Sequence, residues 1–133
     1  MHRILVINPG STSTEISVFQ DEREVHNARI SHPVDELRKF ARVIQQLPYR
    51  QQIIESKLAE LGIKKGDLEA VVGRSSLSGR KSGTYTINNK MIEDVKQAME
   101  HVEHPASLGC MLAHNIATLY AVPAYVSHIA MTP

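Results

Sequence analysis

The chain has 133 residues, 42% hydrophobic and 22% charged, with a formal net charge of +1. This is one domain's worth of chain with enough apolar content for a core, and its scattered Lys and Arg offer no basic patch for nucleic acid or an anionic membrane surface. Two Phe and no Trp leave few platforms for stacking bases, and a single cysteine, Cys110, excludes an internal disulfide and a cysteine-held zinc cluster.

The lone cysteine fits a reducing compartment, so a cytoplasmic protein is expected. Met1-His2-Arg3, four apolar residues and then Asn-Pro make too short a stretch for a signal peptide. The longest largely apolar run, Ile116 to Val126, is interrupted by Pro123 and falls short of the ~20 residues of a membrane-spanning helix.

The chain opens on Ile4-Leu5-Val6-Ile7, a continuous apolar run that suits a strand buried on both faces. Asn8-Pro9-Gly10 forces a turn, because Pro fixes φ and Gly tolerates φ > 0. The turn presents Ser11, Thr12, Ser13 and Thr14, and Ile16, Val18 and Phe19 resume as a second strand. Small residues let a backbone approach an anion, and hydroxyls with N–H groups supply donors, so the turn suits phosphate. An ordinary β-hairpin turn fits the same residues. No Gly-Lys-Ser/Thr follows, so this is not a Walker A loop, nor is it Gly-x-Gly-x-x-Gly. Glu24 to Ile30 forms a third strand and completes an antiparallel meander.

Ser31-His32-Pro33 breaks that strand, and the period changes. Leu37, Phe40, Ala41, Ile44 and Leu47 share one face of a helix that Asp35 and Glu36 open and Pro48 stops. A second helix turns Ile53, Ile54, Leu58 and Leu61 inward, with Gly62 as its C-terminal cap. Leu68 to Gly73 is a buried strand that delivers Arg74 at its end. Ser75 to Gly83 is a loop rich in Gly and Ser, and Thr84 to Ile87 is extended. Asn88 or Asn89 caps a helix faced by Met91, Ile92, Val95, Met99 and Val102, with Glu93 and Asp94 in its first turn. After His104-Pro105 comes a helix faced by Leu108, Met111, Leu112, Ile116 and Leu119. Pro123 to Ile129 is the last strand.

The order β-β-β-α-α-β-loop-α-α-β is an α/β layout. Ligands in such sheets collect at the carboxyl ends of strands. The first turn, Arg74 and the end of the last strand converge there.

The run Ile4-Leu-Val-Ile-Asn-Pro-Gly-Ser-Thr-Ser-Thr14, with Ala70-Val-Val-Gly-Arg74, Ser82-Gly-Thr-Tyr85 and Asn89-Lys-Met-Ile-Glu-Asp94, resembles butyrate kinase. That family sits with the acetate kinases in the sugar kinase/Hsp70/actin superfamily, and the match runs in order along essentially the whole chain. The resemblance implies a ribonuclease-H-like (actin-like ATPase) domain over residues 1–133, the first of two domains. Its implied activity is transfer of the γ-phosphoryl group of ATP, with Mg2+, to a short-chain carboxylate such as butanoate, giving an acyl phosphate. Position by position, Asn8, Gly10, Ser11 and Ser13 match the family's phosphate-side turn, with Thr12 between them. Arg74 matches the arginine placed near the acceptor carboxylate and the transferring phosphoryl group, as the catalytic residue. A guanidinium fork suits both groups, and phosphoryl transfer depends on positioning and charge neutralisation.

The chain also departs from the family. Glu15 stands where a lysine is usual, Ser75 and Ser76 where two glycines follow the arginine, and Leu108 follows Ser107 where the family has Asn. His128-Ile129 stands where the family has Asp-Pro, and no carboxylate follows Glu103. Members continue into a second domain that closes over adenosine. Three readings follow: a kinase domain, a truncated remnant that binds phosphate or nucleotide or dimerises without catalysis, and a half-site completed by a partner chain. The apolar surface that a second domain would cover favours a homo-oligomer.

Other groups have plainer readings. Pro105 separates His101 and His104 from His114, and no carboxylate supports a three-ligand metal site. Cys110 is a small core residue with no basic neighbour to activate it. Arg80 and Lys81 are solvated loop charges or a phosphate clamp.

Overall fold

A computed structural model describes residues 2–75, 77, 80–101 and 103–128. The meander is present: β1 (Arg3–Pro9), β2 (Ser13–Gln20) and β3 (Arg23–Ser31) pair antiparallel in sequence order. A one-turn helix α1 (Val34–Leu37) and a 3-10 turn (Val43–Gln46) lead into α2 (Leu47–Glu60). Then come β4 (Ala70–Arg74), β5 (Gly83–Thr86), α3 (Asn89–Met99), a 3-10 turn (Pro105–Ser107), α4 (Leu108–Tyr120) and β6 (Ala124–His128). The sheet order is β3-β2-β1-β4-β6-β5, with β4 parallel to both β1 and β6.

Strand side chains alternate between faces, and burial follows that alternation. Leu5, Ile7, Ile16, Val18, Val71, Ala124 and Val126 are buried on one face, where α4 packs on β1, β4 and β6 and α2 packs on α4. Ile4, Val6, Val72 and Tyr125 on the other face are only half-buried. The first strand is therefore not buried on both faces as its apolar run predicts. Hydrophobic residues on strands also occupy partly exposed faces, so the run alone does not reveal whether both faces are covered.

The predicted helix over 34–47 is not one helix. α1 ends at Leu37, and Pro48 lies in the first turn of α2 rather than stopping a helix. Proline is well tolerated there, because the first amides of a helix have no intrahelical acceptor and φ is already set. α2 turns Arg50, Ile54 and Leu58 inward, with Ile53 and Leu61 half-buried. Gly62 follows its end with φ +76°, as a C-terminal cap requires.

Asn88 Oδ1 accepts from the Met91 amide at 2.9 Å and caps α3. Glu93 and Asp94 then fall in its second turn, and Val102 lies outside the described residues. On α4, Leu108, Met111, Leu112 and Ile116 are buried, but Leu119 is 49% exposed. The helix is apolar on several sides, so periodicity overextends its core face. Cys110 is fully buried there, and burial pushes its thiol up to about 11. The β6 strand is described as far as His128; Ile129 lies outside the described residues. No helix among the described residues is long and apolar enough to cross a membrane.

Candidate functional site

The β1–β2 turn is held from below. The Gly10 amide donates to the Ser13 carbonyl at 2.7 Å, and the His32 amide donates to the Thr12 carbonyl at 2.7 Å. Arg50, with no exposed surface, reaches up from α2. It donates to the Ser11 carbonyl at 3.2 Å, the Ser13 carbonyl at 3.1 Å and Thr14 Oγ1 at 3.3 Å. Its Nε donates to Gln46 Oε1 at 3.1 Å. With the Ser11 carbonyl turned inward, the Thr12 N–H of the same trans peptide points outward. Ser11 and Thr12 are exposed, and Gly10 and Ser13 half-buried. The turn thus presents donors outward while its carbonyls are satisfied inside. Gly10 does not have the positive φ expected of it, and a Cβ there would meet Ser13 Oγ at an ordinary 3.4 Å. Pro9 and the ladder set the turn without it.

Beside Arg50, His32 is buried and its Nε2 lies 2.7 Å from Thr14 Oγ1. Its Nδ1 has no partner among the described residues, and its ring packs edge-on against Tyr49 at 5.3 Å. Burial, then the Arg50 charge, lowers its pKa from 6.5 to about 4. Unfolding lets His32 take a proton near pH 6.5, whereas the folded ring resists until about pH 4. The stability this contributes is therefore full above pH 6.5 and is lost as pH falls toward 4. Thermal melts should show a decline across that window worth roughly 3 kcal/mol at most, and His32→Asn should flatten it. Equal acid sensitivity in the variant would move the effect to another group.

Register builds a polar row across the face opposite α4. Arg29 pairs with Glu15, Glu15 with Asn8, Arg74 with Ser127, and Ser127 with Thr84. The parallel pair Ile7–Gly73 puts Asn8 and Arg74 one step further along neighbouring strands. Sequence reasoning places these two residues together, and the sheet does so. The Arg74 side chain is exposed and has no hydrogen bond or ion pair among the described residues. Glu15 accepts from Asn27 Nδ2 at 3.3 Å, so the carboxylate of this row is already engaged.

The carboxyl ends are closed in by the loop after β4 and the start of α4. Ser75 is buried and donates from Oγ to the Ala106 carbonyl at 2.9 Å; Ser76 lies outside the described residues. His128 Nδ1 accepts from the Leu77 amide and Nε2 donates to the Arg80 carbonyl, both at 3.0 Å. The ring is thus committed to holding the loop. Arg80 lies over the Tyr85 ring at 5.2 Å, and Tyr85 donates to the Lys81 carbonyl at 2.6 Å.

This mixed sheet, with helices on one face, has the actin-like ATPase fold of the acetate and propionate kinases. A propionate kinase from Francisella tularensis subsp. tularensis SCHU S4 superposes with a TM-score of 0.59 at 16% identity, over 96% of this chain and 37% of that one. An acetate kinase from Porphyromonas gingivalis gives 0.59 at 15%, over 96% and 37%. No protein-family model matches the chain.

In sequence the chain resembles the butyrate kinases, as its motifs predict. It is 40% identical over 127 residues to Butyrate kinase 1 of Clostridium acetobutylicum, covering 95% of this chain and 36% of that protein. It is 40% identical over 126 residues to Probable butyrate kinase 2 of Caldanaerobacter subterraneus subsp. tengcongensis, covering 94% and 35%. The chain spans about a third of the length of these curated relatives.

The turn fits a nucleotide phosphate: outward donors, small residues and a buried cation beneath. No three His, Cys, Asp or Glu converge among the described residues; Glu15 is bonded by Asn27, and His128 has both nitrogens engaged. Sequence reasoning missed Arg50 and His32. The signal for Arg50 is its place four residues before Ile54 and eight before Leu58, in line with the core face of α2.

Proposed function

We propose that this chain is the phosphate- and carboxylate-facing part of a butyrate kinase-like acyl kinase. The observation that carries the reading is the neighbouring placement of the donor turn and Arg74 at the ends of β1 and β4. In the reaction a carboxylate oxygen of butanoate attacks the γ-phosphorus of ATP. The bond to the bridging oxygen breaks, and ADP leaves with the electron pair. The amides and hydroxyls of Ser11, Thr12 and Ser13 hold phosphate oxygens, and Gly10, its amide bonded to the Ser13 carbonyl, leaves them room to approach. Asn8 orients an oxygen beside them, and Arg74 draws the carboxylate and the phosphoryl group together. A dispersed charge needs such positioned donors more than covalent help.

The test is acyl hydroxamate formation from ATP, magnesium and butanoate trapped with hydroxylamine. Butanoate-dependent hydroxamate supports the reading; a protein that binds nucleotide without turnover supports the second one. That second reading is a phosphate- or nucleotide-binding module, and the commitment of His128 to the loop favours it, since no carboxylate stands at the end of β6.

Charge at Glu15 offers a separate check. Glu15→Lys replaces a like charge beside the turn with an opposite one. The gain is partly offset by Arg29, its cross-strand partner. ATP should then bind about 5-fold tighter, roughly 1 kcal/mol for a solvent-facing pair. Calorimetric titration with no gain would count against phosphate lying on this side of the turn.

A further inference from the structure

We infer that Arg50 is the positioning residue of the phosphate turn and the source of its charge. It is a buried guanidinium, bonded to the turn's carbonyls and lacking a carboxylate of its own, that favours an anion across the same peptides. The inference deepens the phosphate reading of the turn and rests on it.

A buried cation is costly unless paired. Arg50 is fully buried, yet no carboxylate lies within ion-pair distance among the described residues. Its donors go instead to one amide oxygen, one hydroxyl and two carbonyls of the turn. Such bonds engage all three nitrogens but leave a full positive charge uncompensated. They also fix the Ser11–Thr12 peptide with its N–H outward and polarise it, which strengthens that donor. His32, the neighbouring titratable ring, is kept neutral by burial and adds no second cation. The phosphoryl oxygens thus meet donors whose field is set from beneath. Glu15 follows Thr14 on the opposite face of β2 and is not placed to neutralise Arg50.

The probe is inorganic tripolyphosphate without added metal, followed by 1H–15N spectra of the wild-type chain. The buried Arg50 Nε–H should shift on titration in step with the Thr12 and Ser13 amides. Arg50→Lys, which keeps the charge but not the fork, should bind within several-fold of wild type. A folded Arg50→Met should bind at least tenfold more weakly. An Arg50 Nε–H that stays fixed at saturation would overturn the inference. So would a folded Arg50→Met that binds like wild type and differs only in its melting point. If Arg50→Met does not fold, the wild-type spectrum and Arg50→Lys decide. A wild-type chain that ignores tripolyphosphate would instead overturn the phosphate reading of the turn, and this inference with it.

Discussion

Replacing Gly109 by alanine should cost about 3 kcal/mol or more, enough to unfold a marginal domain. A Cβ there would lie 1.9 Å from the Arg74 carbonyl oxygen and 2.8 Å from its carbon. Both are backbone atoms of a central strand, so no side chain can swing aside. Gly73 is the other half of this contact: its Cβ would meet the Gly109 carbonyl oxygen at 2.1 Å and Ala113 Cβ at 2.9 Å. Urea unfolding of Gly73→Ala and Gly109→Ala should show the loss. The double variant should cost less than the sum, because lifting α4 relieves both clashes. Gly10→Ala is the control and should change little, with only Ser13 Oγ at 3.4 Å to meet. An unchanged midpoint for Gly109→Ala would mean that α4 does not lie against β4. The contact also bears on the site, since Gly109 rests on the carbonyl of Arg74 itself.

The second large effect falls on activity. In a hydroxamate-forming preparation, Arg74→Ala should lower the rate about 100-fold or more, some 2.7 kcal/mol of transition-state stabilisation. Its stability should stay near wild type, because Arg74 is exposed and unpartnered among the described residues. Arg74→Lys should recover only part of the rate, since an ammonium lacks the two-pronged geometry that bridges carboxylate and phosphoryl oxygens. The split between rate and stability is the informative result. Full activity in Arg74→Ala would remove the arginine from the chemistry, whereas equal losses in rate and stability would make it a structural residue.

Much of this arrangement is legible in the sequence. The meander follows from an apolar run, a turn and a second alternating run, and Arg74 from a short strand that ends in a charge. Pro48 shows why boundaries are harder: the residue that stops a helix in its interior is comfortable in its first turn, and only the folded chain reveals which applies. Leu119 shows that helical periodicity marks a face without telling where cover ends. Arg50 was hidden by its type. A charged side chain is assigned to solvent by default, and its burial depends on two carbonyls and a hydroxyl brought from a turn 36 to 39 residues away in sequence. Close approach of Gly73 and Gly109 is likewise tertiary, because neither residue's neighbours announce the other.

Pro9 is paired with Thr14 across the hairpin, and β2 alternates its faces at every step. One residue added between them would leave β2 in register, because Ile16 and Val18 hold it in the core, but would draw the Ser11 and Ser13 carbonyls off Arg50. The turn therefore works as a ruler. Its letters can drift among small polar residues, but its count is fixed by side chains on the far side of the sheet. Variation along this stretch should appear as substitutions, with insertions and deletions disfavoured by the buried arginine beneath it.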